Sequence, residues 1–125
     1  FKKNYVFIAG GLGITPFRSI LKQLDFEKKN INIYLFYANK NKNLLFKKEL
    51  EEIAKRNTKF RIKYFINPQR VNKKDFEQLS IDFKKTMFFI SGPENMIYKI
   101  EDILKDLGVK EDQMRQDYYT GYLKI

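Results

Sequence analysis

The sequence has 125 residues, of which 43% are hydrophobic, so it is long and apolar enough to fold as one domain with a buried core. It contains neither cysteine nor histidine, which excludes disulfides, thiolate catalysis, Ser-His-Asp triads and metal sites built on either residue type. The net charge of +10 favours an anionic partner, although lysines spread along a chain are also typical of an ordinary solvated surface.

Apolar segments of strand length alternate with segments of helical periodicity along the chain. The predicted strands are Tyr5–Ala9, Ile31–Tyr37, Phe60–Ile66, Thr86–Ser91 and Met114–Tyr119. The predicted helices are Ser19–Lys29, Leu45–Arg56, a short helix capped by Asn72, and a longer helix that follows Gly92-Pro93, carries Met96 and ends before Gly108. This alternation predicts one α/β domain over residues 1–125, a three-layer, Rossmann-like parallel sheet of about five strands with helices on both faces.

The first predicted helix has an apolar face at the spacing of a helix that packs on a sheet. The residues expected to point inward from this segment are Phe17, Ile20, Leu21 and Leu24.

A glycine-rich turn, GGLGITP, joins the first predicted strand to that helix. Ligands of open parallel sheets bind at the carboxyl ends of the strands, and glycine permits positive φ and a close approach to the backbone. Thr15 is expected either to cap the helix or to bind the ligand, and Pro16 suits the first helical position. The alternative is a tight turn without a ligand. On the phosphate-binding hypothesis, Gly13→Val should abolish nucleotide binding and leave the fold largely intact.

A second loop, SGPENM, follows the fourth predicted strand and again leads through Gly and Pro into a helix. Taken alone, it is typical of an ordinary strand–helix turn with Met96 in the core. Because both loops follow central strands of the predicted sheet, they are expected to flank one crevice.

Together, GGLGITPFRSIL and SGPENM resemble the nicotinamide-nucleotide domain of the ferredoxin–NADP reductase family. FYANKNKNLLFKKEL, QRVNKKDF and DYYTGY extend the resemblance over Tyr5–Tyr122. The resemblance implies an NAD(P)H-binding domain of an FAD-dependent oxidoreductase, with the flavin held by a preceding β-barrel domain. The signature of that flavin domain is absent from the sequence. We therefore expect a piece of a larger protein that neither holds flavin tightly nor turns over alone.

The resemblance also implies roles for individual residues. Contacts to the pyrophosphate, nicotinamide and ribose are implied for Gly10, Gly11, Gly13, Ile14, Thr15, Pro16, Gly92, Pro93, Glu94 and Met96. A place near the reacting rings, as candidate catalytic residues, is implied for Ser91, Thr15, Asp117 and Tyr119, and Tyr122 ends the family's terminal motif. Ser91 stands where the family usually has cysteine, so altered hydride-transfer efficiency is expected, not lost binding.

The segment after the second predicted strand bears on the choice between NADH and NADPH. It reads YANK and has no acid for the 2′-hydroxyl pair of an NAD ribose. Asn39, Lys40, Lys42 and Arg70 are candidate contacts to the nucleotide, and the three cations among them suit a 2′-phosphate. The alternative is that these cations are solvated surface residues. The sequence thus favours NADP over NAD.

Other function classes and partners follow from the same features. The alternative to a redox domain is a basic α/β module for nucleic acid or another phosphorylated ligand, but the aromatic residues occupy core positions and no RNA-recognition or helix-turn-helix signature is present. A second alternative is a flavodoxin- or receiver-like domain of similar topology, but a receiver needs an acidic cluster at the strand ends, which this sequence lacks there. The expected partners are the flavin domain and an electron acceptor such as ferredoxin, flavodoxin, haem or an oxygenase component. Neither a membrane span nor an export signal is visible, which favours the cytoplasm.

Overall fold

A five-stranded parallel sheet forms the centre of the fold in a computed structural model that describes residues 4–119. The strands are β1 (Asn4–Gly10), β2 (Ile33–Asn39), β3 (Phe60–Ile66), β4 (Thr86–Pro93) and β5 (Met114–Tyr119). They lie in the order β3-β2-β1-β4-β5, and every neighbouring pair is parallel. The predicted α/β class and number of strands are confirmed.

Helices cover both faces of the sheet, which explains why β1 is apolar at nearly every position. The four helices are α1 (Ile14–Phe26), α2 (Lys47–Arg56), α3 (Lys73–Glu77) and α4 (Glu94–Asp106). Val6 and Ile8 pack in a core with α3 and α4. Phe7 and Ala9 point the other way, into a core with α1 and α2. Alternate residues of one strand therefore serve two separate cores.

The first helix differs from its prediction at its start. α1 begins at Ile14, before the predicted Ser19, and Gly13 is its N-cap residue. Thr15 therefore does not cap the helix. Pro16 is the third helical residue and not the first, a place that is tolerated because N–H groups of the first turn have no helical acceptor.

One predicted core residue of α1 is wrong. Phe17 and Leu21 are buried, but Ile20 is 41% exposed. A step of about 100° per residue carries Ile20 off the face that holds Leu21.

The last helix ends just before Gly108, as the sequence predicts. This residue has φ of 89°, which glycine adopts without a side-chain penalty. The N–H of Val109 donates to the carbonyl of Leu104 at 2.9 Å, and the N–H of Gly108 donates to Lys105 at 3.0 Å. These two bonds satisfy carbonyls at the helix end, and they turn the chain back towards β5.

A cleft of about 820 Å³ lies at the amino edge of the sheet, opposite to the glycine loops. Its walls include Tyr5 of β1, Ile33 of β2 and the ends of α1 and α2. None of the predicted site residues lines this cleft, so it is separate from the crevice described below. Within residues 4–119, no helix is both long and apolar enough to cross a membrane.

Candidate functional site

The chain leaves β1 and β4 towards opposite faces of the sheet. β1 leads into α1, which packs in the core of Phe7 and Leu35, whereas β4 leads into α4, which packs in the core of Ile8 and Ile90. The two strands are neighbours, with Ala9 opposite Ser91 in the register. A crevice therefore opens between the first turns of α1 and α4. Such a switch point is where open parallel sheets bind their ligands.

Three glycines of this crevice lie where another part of the protein occupies the space of a side chain. A Cβ on Gly13 would overlap the backbone carbonyl of Ser91 and lie 2.9 Å from the nitrogen of Gly92. A Cβ on Gly92 would lie 2.7 Å from Cε of Met96. A Cβ on Gly10 would overlap Sδ of the same methionine. The loop after β1 is thus docked directly on the end of β4.

This packing overturns one expectation from the sequence. Gly13→Val was expected to leave the fold largely intact, but the atoms in its way belong to the backbone of Ser91 and Gly92, which cannot rotate aside as a side chain can. The expectation of an intact fold is wrong, because Gly13 is needed for protein packing whether or not a ligand is bound.

The backbone conformation explains why a fourth residue of the crevice, Gly11, is a glycine. Gly11 has φ of 55°, in the left-handed region, and opens a single 3₁₀ turn over Gly11–Gly13. Leu12, at the middle of this turn, is 54% exposed. This turn is the whole connection between β1, which ends at Gly10, and α1, which begins at Ile14.

The first turns of α1 and α4 differ in charge. That of α1 contains no acidic residue, and its N-cap Gly13 provides no side-chain hydrogen bond. That of α4 carries Glu94, whose carboxylate accepts a hydrogen bond of 3.0 Å from the hydroxyl of Tyr98. Backbone N–H groups and the helix dipole favour an anion at either end, but Glu94 opposes it at α4. A phosphate is therefore better accommodated at α1.

The candidate catalytic residues lie on both sides of β4. Ser91 is 2% exposed and stands opposite Asp117 of β5 in the register, while the backbone of Tyr119 lies opposite Pro93. Asp117 and Thr15 are exposed. The sheet thus brings Ser91 and Asp117 together, whereas Tyr122 lies outside the described residues. Of the other residues predicted to contact the cofactor, Ile14 is buried in the core, and Pro16, at the third position of α1, is partly buried.

The predicted contacts at the end of β2 and in the loop after β3 form a separate group. The side-chain amide of Asn39 donates to the carbonyls of Asn41 at 3.0 Å and Asn43 at 3.3 Å, so it shapes the loop that follows β2. Lys40 and Arg70 are exposed, and in the part of the chain that the structure describes neither side chain forms a hydrogen bond or salt bridge. Both lie beyond the carboxyl ends of neighbouring strands, which makes them available to an anion at that edge.

Tyr37 is a residue whose role the sequence did not reveal. It is fully buried in β2, and its hydroxyl donates to the carbonyl of Leu45 at 3.0 Å, which ties down the far end of the loop carrying Lys40. The available signal was chemical, because a buried tyrosine needs a hydrogen-bond partner for its hydroxyl. In the sequence it was counted only as an apolar strand residue.

Potential metal ligands do not gather in the described region: no group of three or more acidic residues within residues 4–119 could hold a metal ion. The strongest pKa shift near the site edge is that of Tyr64, which burial and a 2.8 Å hydrogen bond to Glu51 raise well above the ordinary pKa of tyrosine. Tyr64 is therefore a neutral hydrogen-bond donor that ties β3 to α2.

Comparisons with known proteins agree with this fold. NADH-cytochrome b5 reductase 2 of Candida albicans is 30% identical over 139 residues, covering 98% of this chain and 43% of that protein. A flavohemoglobin of Malassezia yamatoensis, determined with bound FAD and heme, superposes with a TM-score of 0.81 at 20% identity over 94% of this chain and 32% of its own. Ferredoxin-NADP+ reductase of Plasmodium falciparum gives a TM-score of 0.76 at 25% identity over 94% of this chain and 52% of its own.

The chain thus spans about half or less of the length of each of these proteins. The resemblance to the ferredoxin–NADP reductase family is confirmed, and the alternative of a nucleic-acid module gains no support. The family model of oxidoreductase NAD-binding domains matches residues 7–102, a range that includes both glycine loops and the strands that carry them. This chain belongs to the family of oxidoreductase NAD-binding domains.

Proposed function

We propose that the chain is the pyridine-nucleotide-binding domain of an FAD-dependent oxidoreductase and holds NAD(P)H in the crevice between β1 and β4. The observation that carries the proposal is the docking of the loop at Gly13 on the backbone of Ser91 and Gly92, which joins two glycine loops into one binding edge. The acid-free first turn of α1 supports a pyrophosphate on that side.

The nucleotide in this proposal runs across the carboxyl edge of the sheet. Its pyrophosphate lies against Gly11 and Thr15, its nicotinamide lies beside Ser91 and Gly92, and its adenosine lies towards the end of β2. FAD is supplied by a β-barrel domain of the same polypeptide. When bound, the two cofactors carry hydride transfer from the nicotinamide to the flavin, and this chain supplies placement and electrostatics.

The residues around Ser91 have separate tasks in this scheme. Ser91 is nearly buried, so it limits how deep the nicotinamide ring sits and excludes water from that side. Asp117, exposed on the neighbouring strand, lies near the flavin in the assembled enzyme, as does the chain at Tyr119, whose backbone pairs with Pro93. Glu94, held by Tyr98, keeps the phosphates on the α1 side by charge repulsion.

We propose NADPH as the preferred nucleotide. The support is the pair of exposed cations, Lys40 and Arg70, beyond the ends of β2 and β3, with Lys42 in the same loop. A 2′-phosphate on the adenosine ribose would meet positive charge at this edge. The relatives bear names that include both NADH and NADP+, so the proposal depends on this chain's own cations.

The electron acceptor that we favour is a haem protein. The names of two of the proteins above specify cytochrome b5 reductase and a flavohemoglobin with bound heme, while the third is a ferredoxin reductase. We place the protein in the cytoplasm, where reduced nicotinamide nucleotides are available.

Calorimetric titration of the chain with NADPH and, separately, with NADH tests the proposal. We expect saturable binding at one site, about tenfold tighter for NADPH because one charge-assisted contact is worth about 1.5–3 kcal/mol. Failure of both nucleotides to bind would contradict the proposed function. Tighter binding of NADH would contradict only the preference for NADPH.

A further inference from the structure

We propose that Met96 is a positioning residue whose thioether sets the distance between the two glycine loops and thereby the seat of the nicotinamide. This inference rests on the proposed function, since it names the residue that shapes one half of the same crevice. The residue was expected to border the nucleotide, but the structure gives its side chain a second, internal surface.

The contacts of Met96 bridge the two strands at the switch point. Sδ of Met96 lies where a Cβ of Gly10 would stand, and its Cε lies 3.1 Å from that position. The same Cε lies 2.7 Å from the position of a Cβ on Gly92. Gly10 and Gly92 also approach each other, because a Cβ on Gly92 would lie 3.3 Å from the nitrogen of Gly10. One side chain therefore fills the slot that two missing side chains leave.

Methionine suits this slot for a reason of shape. The slot lies between the backbones of Gly10 and Gly92, and a side chain without a branch at Cβ can extend into it. Met96 is the third residue of α4, so its backbone is fixed by the helix. It is partly buried against the core of α4, which leaves part of the residue facing outward from the sheet.

Loss of the Met96 side chain should weaken binding of the nicotinamide half of the nucleotide more than binding of the adenosine half. Without the thioether, the segment from Gly92 to the start of α4 can relax towards Gly10, while Ser91 stays paired in the sheet, so only the nicotinamide side of the crevice moves. The first turn of α1 keeps its own support, because Gly13 rests on the backbone of Ser91 and not on Met96. The loop after β2, where the adenosine is proposed to lie, is held by hydrogen bonds from Asn39 to carbonyls of the same loop.

The test compares a dinucleotide with its adenosine fragment. The dissociation constants of NADPH and of 2′,5′-ADP are measured for the wild-type chain and for Met96→Ala, Met96→Ile and Met96→Leu. Met96→Ile retains apolar bulk but branches at Cβ, so it cannot extend into the slot. Met87→Ala, which removes a partly buried methionine at the amino end of β4, the strand that leads into α4, is the matched control for lost apolar packing.

We expect Met96→Ala and Met96→Ile to raise the dissociation constant of NADPH about tenfold and that of 2′,5′-ADP less than about twofold. Met96→Leu should retain most of the affinity for NADPH because it nearly conserves the volume of the side chain. Met87→Ala should lower the melting temperature without changing the ratio of the two affinities. Equal weakening of dinucleotide and fragment, or unchanged NADPH binding in folded Met96→Ile, would overturn the inference. A wild-type chain that binds 2′,5′-ADP but not NADPH would also overturn it, whereas a wild-type chain that binds neither would overturn the proposed function itself.

Discussion

The backbone carbonyl of Ser91 packs against the α-carbon of Gly13, at the place where any other residue would carry its side chain. Gly13 is the N-cap residue of α1, and Ser91 lies near the end of β4. The start of one helix is therefore seated on the neighbouring strand. This contact explains why the turn after β1 is rich in glycine, since the protein's own backbone requires the space before any nucleotide does.

Replacing Gly13 by alanine should destabilise the fold. The new methyl group would overlap the carbonyl of Ser91, and relief requires movement of either α1 or β4. Overpacking of this kind costs about 1–3 kcal/mol. Urea denaturation measures the loss, and titration with NADPH at a temperature where the variant is folded should show weaker binding as well. Wild-type stability in Gly13→Ala would contradict the packing described above.

Gly108→Ala provides the matched control for a glycine outside the crevice. A Cβ on Gly108 would contact nothing within 4 Å, but its φ of 89° is unfavourable for alanine by about 1–2 kcal/mol. We expect a loss of stability with an unchanged dissociation constant for NADPH. The two variants separate the cost of a strained backbone from a disturbed binding edge.

Removing Lys40 and Arg70 together should erase the preference for NADPH. The double variant Lys40→Ala/Arg70→Ala is expected to bind NADPH about tenfold more weakly, since it loses charge-assisted contacts to the 2′-phosphate. Binding of NADH should stay within about twofold, because NADH lacks that phosphate. Calorimetric titration of both nucleotides gives the ratio directly.

The control for this experiment removes the same amount of charge elsewhere. Lys29 and Lys59 line the cleft at the amino edge of the sheet, and the crevice lies at the opposite, carboxyl edge. Lys29→Ala/Lys59→Ala should leave the ratio of NADPH to NADH affinity unchanged. An equal loss in both double variants would mean that overall charge, and not a local 2′-phosphate contact, determines the preference.

Asp25 should make the stability of the domain sensitive to acid. Arg56 donates hydrogen bonds to its carboxylate, the shortest at 2.6 Å, and Asn57 adds one of 3.0 Å, which together hold the pKa of Asp25 below its ordinary value. A carboxyl whose pKa is lower in the folded state stabilises the fold above its unfolded pKa. That contribution is lost as the pH falls through the folded pKa.

The variant Asp25→Asn should therefore melt at a lower temperature than wild type at pH 7, and the difference should shrink below about pH 4. Glu27→Gln, at an exposed carboxylate close by, is the control and should melt like the wild type at both pH values. A constant difference for Asp25→Asn across the pH range would mean that the pair with Arg56 does not carry the effect.

The fold was largely predictable because both faces of the sheet are covered. Continuous apolar runs indicated the central strands β1 and β4, and the predicted bounds of β3 and β5 match the observed ones. Gly108, in the left-handed region, lies just past the end of α4 as its sequence position indicates. The start of α1 was less predictable, because glycine at the N-cap carries no side-chain signal. Ile20 fits the apolar spacing of a helix but lies beside the buried face, and only tertiary packing decides that.

The sequence predicted which loops form the candidate site, but it predicted the roles of individual residues less well. Two strand–glycine–helix turns sufficed to bring Gly13 and Gly92 to one edge. That Gly13 serves packing, and that Met96 fills the slot between Gly10 and Gly92, depends on contacts between β1 and β4 that no local pattern encodes. The role of Tyr37 likewise depends on a carbonyl eight positions further along the chain.

The most direct test of the central claim is to map amide chemical-shift changes in the ¹⁵N-labelled chain during a titration with NADPH. We predict that the changes concentrate on the loop from Gly10 to Thr15 and on the segment from Ser91 to Met96, with Asn30 and Asn57 of the amino-edge cleft unaffected. Changes centred on that cleft, with the two glycine loops silent, would contradict the account.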